Sequence, residues 1–310
     1  MSAAVKAGLL LGAVLFVGGG VAARFVAPRL LLGSPAFRRR VSAGTLLGFG
    51  LLALLSALDL VVTIHSAIGR VDPGLLGQYL ANTRHGRATL VRYGLLALLG
   101  LLALGQARAP TTSRPFRLTR HALFAVLAVA LLGTFSATSH GAAMGGRTPL
   151  LVDLAHFAAA CAWAGPLFYL ALYPGWRGAG EPPLRQALAN LSKAGLLSVG
   201  LLFASGLYSS LLHLQDPPAF VASPYGRVLG VKVGLALLTV GLAGLNRFWL
   251  LPTFAQGRGG LPTALRAETV VLVAVFVATG VLSTSPLPHS GEMTGVLANV
   301  QTFWAYLWVR

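Results

Sequence analysis

Acidic residues are the scarcest charged type in this chain, seven against 24 lysines and arginines among 310 residues. With so few carboxylates, a carboxylate-rich site for calcium or magnesium is not in evidence. A single cysteine, Cys161, excludes an intramolecular disulfide. Charged residues of both signs make up only 10% of the chain, against roughly a quarter in an ordinary soluble domain. No Gly-x-x-x-x-Gly-Lys-Ser/Thr loop and no His-Glu-x-x-His motif occurs, so pumping driven by ATP is not expected of this chain alone.

What is abundant is apolar sequence: 55% hydrophobic residues and a mean hydropathy of +0.75. Eight windows, centred on Leu15, Leu54, Leu98, Val129, Trp163, Leu202, Leu238 and Val275, approach the roughly 20 apolar residues that cross a bilayer as a helix. They are rich in Leu, Ala and Gly and lack the alternation of a barrel wall. The expectation is an all-α, polytopic membrane bundle of about eight transmembrane helices, surrounded by lipid. The net charge of +17 is read as topological rather than as a nucleic-acid footprint, because the basic residues flank apolar runs and form no stripe.

Arg24, Arg29 and Arg38 to Arg40 follow the first apolar run where a cleavage site would stand, so that run is read as a retained helix. Connections after the first, third, fifth and seventh helices hold 15 of the 24 basic residues. Cytoplasmic loops carry that excess, which predicts both termini on the extracytoplasmic side.

An internal repeat is visible. His85-Gly86-Arg87 with Arg92, Gly94, Leu95 and Leu98 recurs 140 positions later as Tyr225-Gly226-Arg227 with Lys232, Gly234, Leu235 and Leu238. At an offset of 149, His140 and Met144 match His289 and Met293, and His65 and His213 differ by 148. The reading is two tandem four-helix repeats, 1–146 and 147–310, related by an axis along the membrane normal.

Imidazole and thioether together suit copper, the soft sulfur favouring Cu(I) over Cu(II). His140, Met144, His289 and Met293 are the candidate metal ligands, with His65, His156 and His213 nearby as entry or inner ligands. Asp153 and His156, three apart, share a helix face, which makes Asp153 a candidate to orient the imidazole. Asp59 and Glu292 are candidate pathway carboxylates; for Asp59 the competing reading is a simple ion pair with Arg92 or Lys232. Arg92 and Lys232 themselves are expected to snorkel outward. His85 is expected to be structural, and Cys161 a small packing residue. Two other readings stay open: His65, His140, His156 and His213 are also the residue type that clasps haem b in a membrane cytochrome, and the chain could be an assembly scaffold.

Ser205-Gly206-Leu207-Tyr208, Ser223-Pro224-Tyr225-Gly226-Arg227-Val228-Leu229-Gly230-Val231-Lys232, Leu245-Asn246-Arg247 with Pro252, and Arg266-Ala267-Glu268, together with the upstream Asp153-Leu-Ala-His156 and Trp163-Ala-Gly165, resemble the membrane domain of the copper resistance protein D (CopD) family. The resemblance covers about half the chain. It implies a bacterial inner-membrane protein handling copper, discussed as an importer and not an enzyme. The family often works with a periplasmic copper-binding protein, which here is expected to be a separate chain.

Overall fold

The computed structural model describes residues 2–69, 72–108, 113–139, 147–178, 182–213, 223–254 and 260–285. Among them, secondary structure is helical, and eight helices are long and apolar enough to cross a membrane. These are α1 (Ala3–Val21), α2 (Pro35–Ile68), α3 (Arg84–Arg108), α4 (Arg114–Ser136), α5 (Arg147–Ala171), α6 (Pro182–His213), α7 (Pro224–Leu245) and α8 (Leu261–Leu282). Each of the eight expected windows falls inside one of them.

Local sequence sets the helix ends. Prolines stand in the first turn of α2, α4, α7 and α8, where a missing N–H costs nothing. Ser223 Oγ caps α7 by accepting the Gly226 N–H at 2.9 Å, and Thr83 Oγ1 does the same for α3 from Gly86. Gly69, at φ 76°, closes α2 in the left-handed conformation with its N–H on the His65 carbonyl. Both α1 and α7 run on into a single π turn, Ala22–Val26 and Asn246–Leu250, each carrying an arginine.

Helix α1 occupies the centre, packing on α2, α5 and α8. Glycine permits the closest approach: a Cβ at Gly18 would collide with the Gly165 backbone, and the reverse is also true. In lipid, where burial of apolar surface drives nothing, such backbone proximity supplies the van der Waals attraction between helices. The Tyr169 hydroxyl reinforces the α1–α5 seam by donating to the Leu15 carbonyl at 2.7 Å. Around that seam lie Leu9, Val14, Leu52, Leu131 and Leu167, all essentially inaccessible. The periphery is apolar and exposed, as lipid-facing residues must be: Leu46, Leu197 and Leu237 are examples. Helix α7 is the extreme case, with 6% of its most apolar window buried against 61% for α1.

Gly280 of α8 lies against Ala3 and Ala7 of α1. The start of α1 and the end of α8 therefore share one face of the bundle, called here the Lys6 face; Arg24 marks the opposite one.

Candidate functional site

Two polar groups of side chains occupy the half of the bundle nearest the Lys6 face. The first is built by α1 to α4. Ser56 and Asp59, three apart, share a face of α2, and His85, Thr89 and Arg92 are spaced four and three apart on α3. Asp59 is 1% exposed, and its Oδ2 sits 3.5 Å from His85 Nε2 and 3.9 Å from Lys6 Nζ. Neither Asp59 Oδ1 nor His85 Nε2 makes a hydrogen bond among the described residues.

Arg92, 2% exposed, is held on all sides. Its Nε donates to Thr134 Oγ1 at 3.1 Å, Nη1 to Ser56 Oγ at 3.2 Å and Nη2 to the Thr134 carbonyl at 3.3 Å. The guanidinium carbon lies 3.8 Å over the Phe135 ring. Snorkelling outward is thus not what Arg92 does: hydroxyls on two other helices, Ser56 of α2 and Thr134 of α4, satisfy it in place. Asp59 does pair with a basic residue, but the one within 4.0 Å is Lys6 rather than Arg92 or Lys232, and Arg92 interacts with it electrostatically from further off. Its contacts are Lys6 and His85, the latter gaining an electrostatic role that sequence reasoning did not give it.

The second group belongs to α5, α6 and α7. His156, half-buried roughly 13 Å along α5, places Nδ1 2.9 Å from Ser205 Oγ. Ser205 spends its own proton on the Leu201 carbonyl, so it receives the Nδ1–H, which leaves Nε2 as the lone-pair nitrogen. This is the tautomer a metal-binding imidazole needs. The partner expected from spacing was Asp153; the residue in place is Ser205, on a different helix. Asp153 and His156 each interact electrostatically with Lys232 of α7. The two groups meet through aromatic rings, since Phe135, beneath Arg92, makes a T-shaped contact at 5.7 Å with Phe157, next to His156.

Of the other expected ligands, His65 is exposed in the last turn of α2. His213 ends the described part of α6, and its side chain is outside the description. His140, Met144, His289, Met293 and Glu292 lie outside the described residues. Among the described residues no three His, Cys, Asp or Glu gather as a metal-ligand group. Among the described residues, His156 stands without a second His, Cys, Asp or Glu group gathered round it as a metal site. Cys161 is fully buried in the core as a packing residue.

Near the opposite face, sequence reasoning about sites missed one carboxylate. Glu268 of α8 is 2% exposed, and Asn246, in the π turn after α7, donates Nδ2 to its Oε2 at 2.6 Å. An acidic residue inside an apolar run, in a chain with seven acids, was the available signal.

This architecture defines an integral membrane protein of α-helical bundle class, with buried charge inside the bundle and an apolar surface facing lipid. Residues 185–282, from the first turn of α6 to the end of α8, match the family profile described as Copper resistance protein D. Copper transport protein CutJ of Bacillus subtilis (strain 168) is 26% identical over 256 residues, covering 81% of this chain. Copper resistance protein D of Pseudomonas syringae pv. tomato is 28% identical over 250 residues, covering 74% of this chain and 76% of that protein. The chain spans 46% of the length of the Bacillus subtilis relative. No solved structure matches. On these matches the chain resembles CopD-family proteins, most directly over residues 185–282, and its relatives support a copper-handling role at the membrane.

Proposed function

We propose that the chain moves copper ions inward across the bacterial inner membrane, as a transporter rather than an enzyme, with its copper-receiving site near the Lys6 face. The observation that carries this is His156, inside the region like copper transport protein CutJ, with Nδ1 committed to Ser205 and Nε2 left as a free donor. In this proposal His140, Met144, His289 and Met293 supply the soft ligands that hold Cu(I) as cargo, with His65 and His213 on the approach. Asp153 and Glu292 lie along the same path. A separate periplasmic copper-binding protein delivers the ion. The Lys6 face is extracytoplasmic and the Arg24 face, with its basic connections, cytoplasmic.

Two tandem repeats, 1–146 and 147–310, belong to the same proposal. Helix pairing supports it: α1–α2 corresponds to α5–α6, α3–α4 to α7–α8, and α1–α8 to α4–α5. Ser56 and Ser205, each receiving a hydrogen bond from a cationic or imidazole side chain, are 149 positions apart, the offset that also relates the His and Met pairs.

The test uses purified protein reconstituted into vesicles that enclose a Cu(I)-selective fluorescent chelator. Copper-dependent signal is expected, and the double substitution Met144→Leu with Met293→Leu weakens it without unfolding the protein. Metal analysis and an optical spectrum accompany the assay: stoichiometric iron with a Soret band in place of copper would make the chain a cytochrome.

A further inference from the structure

The Glu268–Asn246 pair has no part in the copper site proposed above, and its surroundings point to a ligand of another kind. It borders a cavity of about 180 Å³ lined by α5, α6, α7 with its π turn, and α8. Trp163, Ser192 and Arg247 contribute the other polar atoms; the remaining wall is apolar. Leu196 of α6 and Phe248 of the π turn line the cavity and are largely exposed, so it opens between α6 and α7 towards lipid.

Three features narrow the ligand. First, the carboxylate is uncompensated: among the described residues no basic nitrogen comes within 4.0 Å of it. Among the described residues, the nearby charged and titratable groups on the surrounding elements do not pair with it. Arg247 of the π turn binds the hydroxyl and carbonyl oxygens of Ser192, and Arg266 of α8 donates to the Ala171 carbonyl. Tyr169 of α5 donates to Leu15. Arg24, at the end of α1, bonds the Gly20 carbonyl and lies over Phe124. Lys193 of α6 is exposed and Cys161 of α5 is buried in the core.

Second, the donor set is wrong for metal. Oxygen from one carboxylate and one amide does not attract Cu(I), and two oxygens fall far short of the six or more that a hard cation of calcium's kind takes. Third, Asn246 is 6% exposed and its Oδ1 has no hydrogen-bond partner among the described residues. A carboxamide can serve either protonation state of its neighbour. Nδ2 donates to a carboxylate, and after a half-turn of the amide Oδ1 accepts from a carboxylic acid.

We propose that Glu268 is a proton-binding site, taking up and releasing one proton with Asn246 as the partner that turns to match. Uptake forms an O–H bond at a Glu268 carboxylate oxygen at the expense of one hydronium ion, leaving water; release reverses it. No electrons change hands. The site lies near the Arg24 face, across the bundle from His156, so it stands independently of the copper reading and supplies an element that reading lacks, a group able to couple transport to protons.

The experiment uses the full chain in lipid nanodiscs without copper, so its failure leaves the copper proposal untouched. Dicyclohexylcarbodiimide, a lipid-soluble reagent that attacks carboxylic acids in their protonated form, is added over a pH series, and the modified peptide is quantified by mass spectrometry. Glu268 is expected to be labelled, at a rate falling about tenfold per pH unit once the acid has titrated. E268Q removes the label from that peptide. Infrared difference spectra on the same samples provide a readout that needs no reagent access: a carboxylic-acid C=O band that titrates with pH and vanishes in E268Q supports the proposal even where labelling is slow. A Glu268 labelling rate and an infrared spectrum that both ignore pH overturn it, and leave Glu268 a fixed structural partner of Asn246.

Discussion

Of the two polar groups near the Lys6 face, the one held by α1 to α4 is saturated and the one held by α5 to α7 is sparse. Around Asp59 three cationic or imidazole side chains and two hydroxyl residues close on a single buried carboxylate, with Arg92 making three hydrogen bonds of its own. Around His156 there is one hydroxyl partner, and Lys232 acts from a distance. A saturated group ties four helices together and has little to offer an incoming ion, especially a cation facing Lys6 and Arg92. The sparse group keeps a lone pair available. The first group spends its polar residues on cohesion between helices, and the second leaves one imidazole nitrogen without a hydrogen bond among the described residues.

Removing the centre of the saturated group tests that difference most severely. Asp59→Asn leaves Lys6 and Arg92 buried without a counter-charge, a change of about 3–5 kcal/mol in stability. Thermal unfolding of the purified protein in detergent is expected to show a large drop in Tm, whereas Asp153→Asn barely moves it. Equal effects of the two substitutions would erase the distinction.

Arg92→Leu comes next. It strips Ser56 and Thr134 of a charged donor, and a loss of about 1.5–3 kcal/mol is expected from hydrogen bonds of that type. Lys232→Leu in the sparse group is expected to cost less, because among the described residues no hydrogen bond of Lys232 holds two helices together as those of Arg92 do. The same unfolding measurement ranks them.

His156→Ala inverts the pattern, leaving Tm nearly unchanged while weakening copper binding about tenfold, or 1.4 kcal/mol. Competition against a Cu(I) chelator reads that number; undiminished affinity in the folded variant would remove His156 from the site. The smallest effect is expected of Ser205→Ala. It frees the imidazole to rotate and change tautomer, for about 1 kcal/mol or less in stability, with a copper affinity between those of wild type and His156→Ala.

How far the sequence could be read depended on whether a property belongs to one helix or to several. Apolar run length is a property of one helix, so the eight spans were legible. The π turn after α7 was not, since its sequence, Asn246-Arg247-Phe248-Trp249-Leu250, carries no marker of a wider hydrogen-bond ring. Interhelical partners were the harder case. That Asp59 needed a partner followed from its depth, but Lys6 is 53 positions away in a helix whose rotation no periodicity reveals. Arg92 was misjudged for the same reason: whether a long side chain escapes to water or is met inside depends on Thr134 of another helix. Intrahelical spacing suggested Asp153 as the partner of His156, and an interhelical hydroxyl took its place.

The Gly18–Gly165 contact also bears on how the molecule comes into being. During synthesis α1 enters the bilayer well before α5 and α8, yet those two helices cover much of its surface. Until they arrive, its glycine face and Lys6 have only lipid and the early helices for company. Chains interrupted after α4 would display that bare stripe to the membrane, a recognisable mark of immaturity for the quality-control machinery and an opening for mispairing with a neighbour. Helix α8, inserted after α1, is thus what completes the covering of the earlier helix.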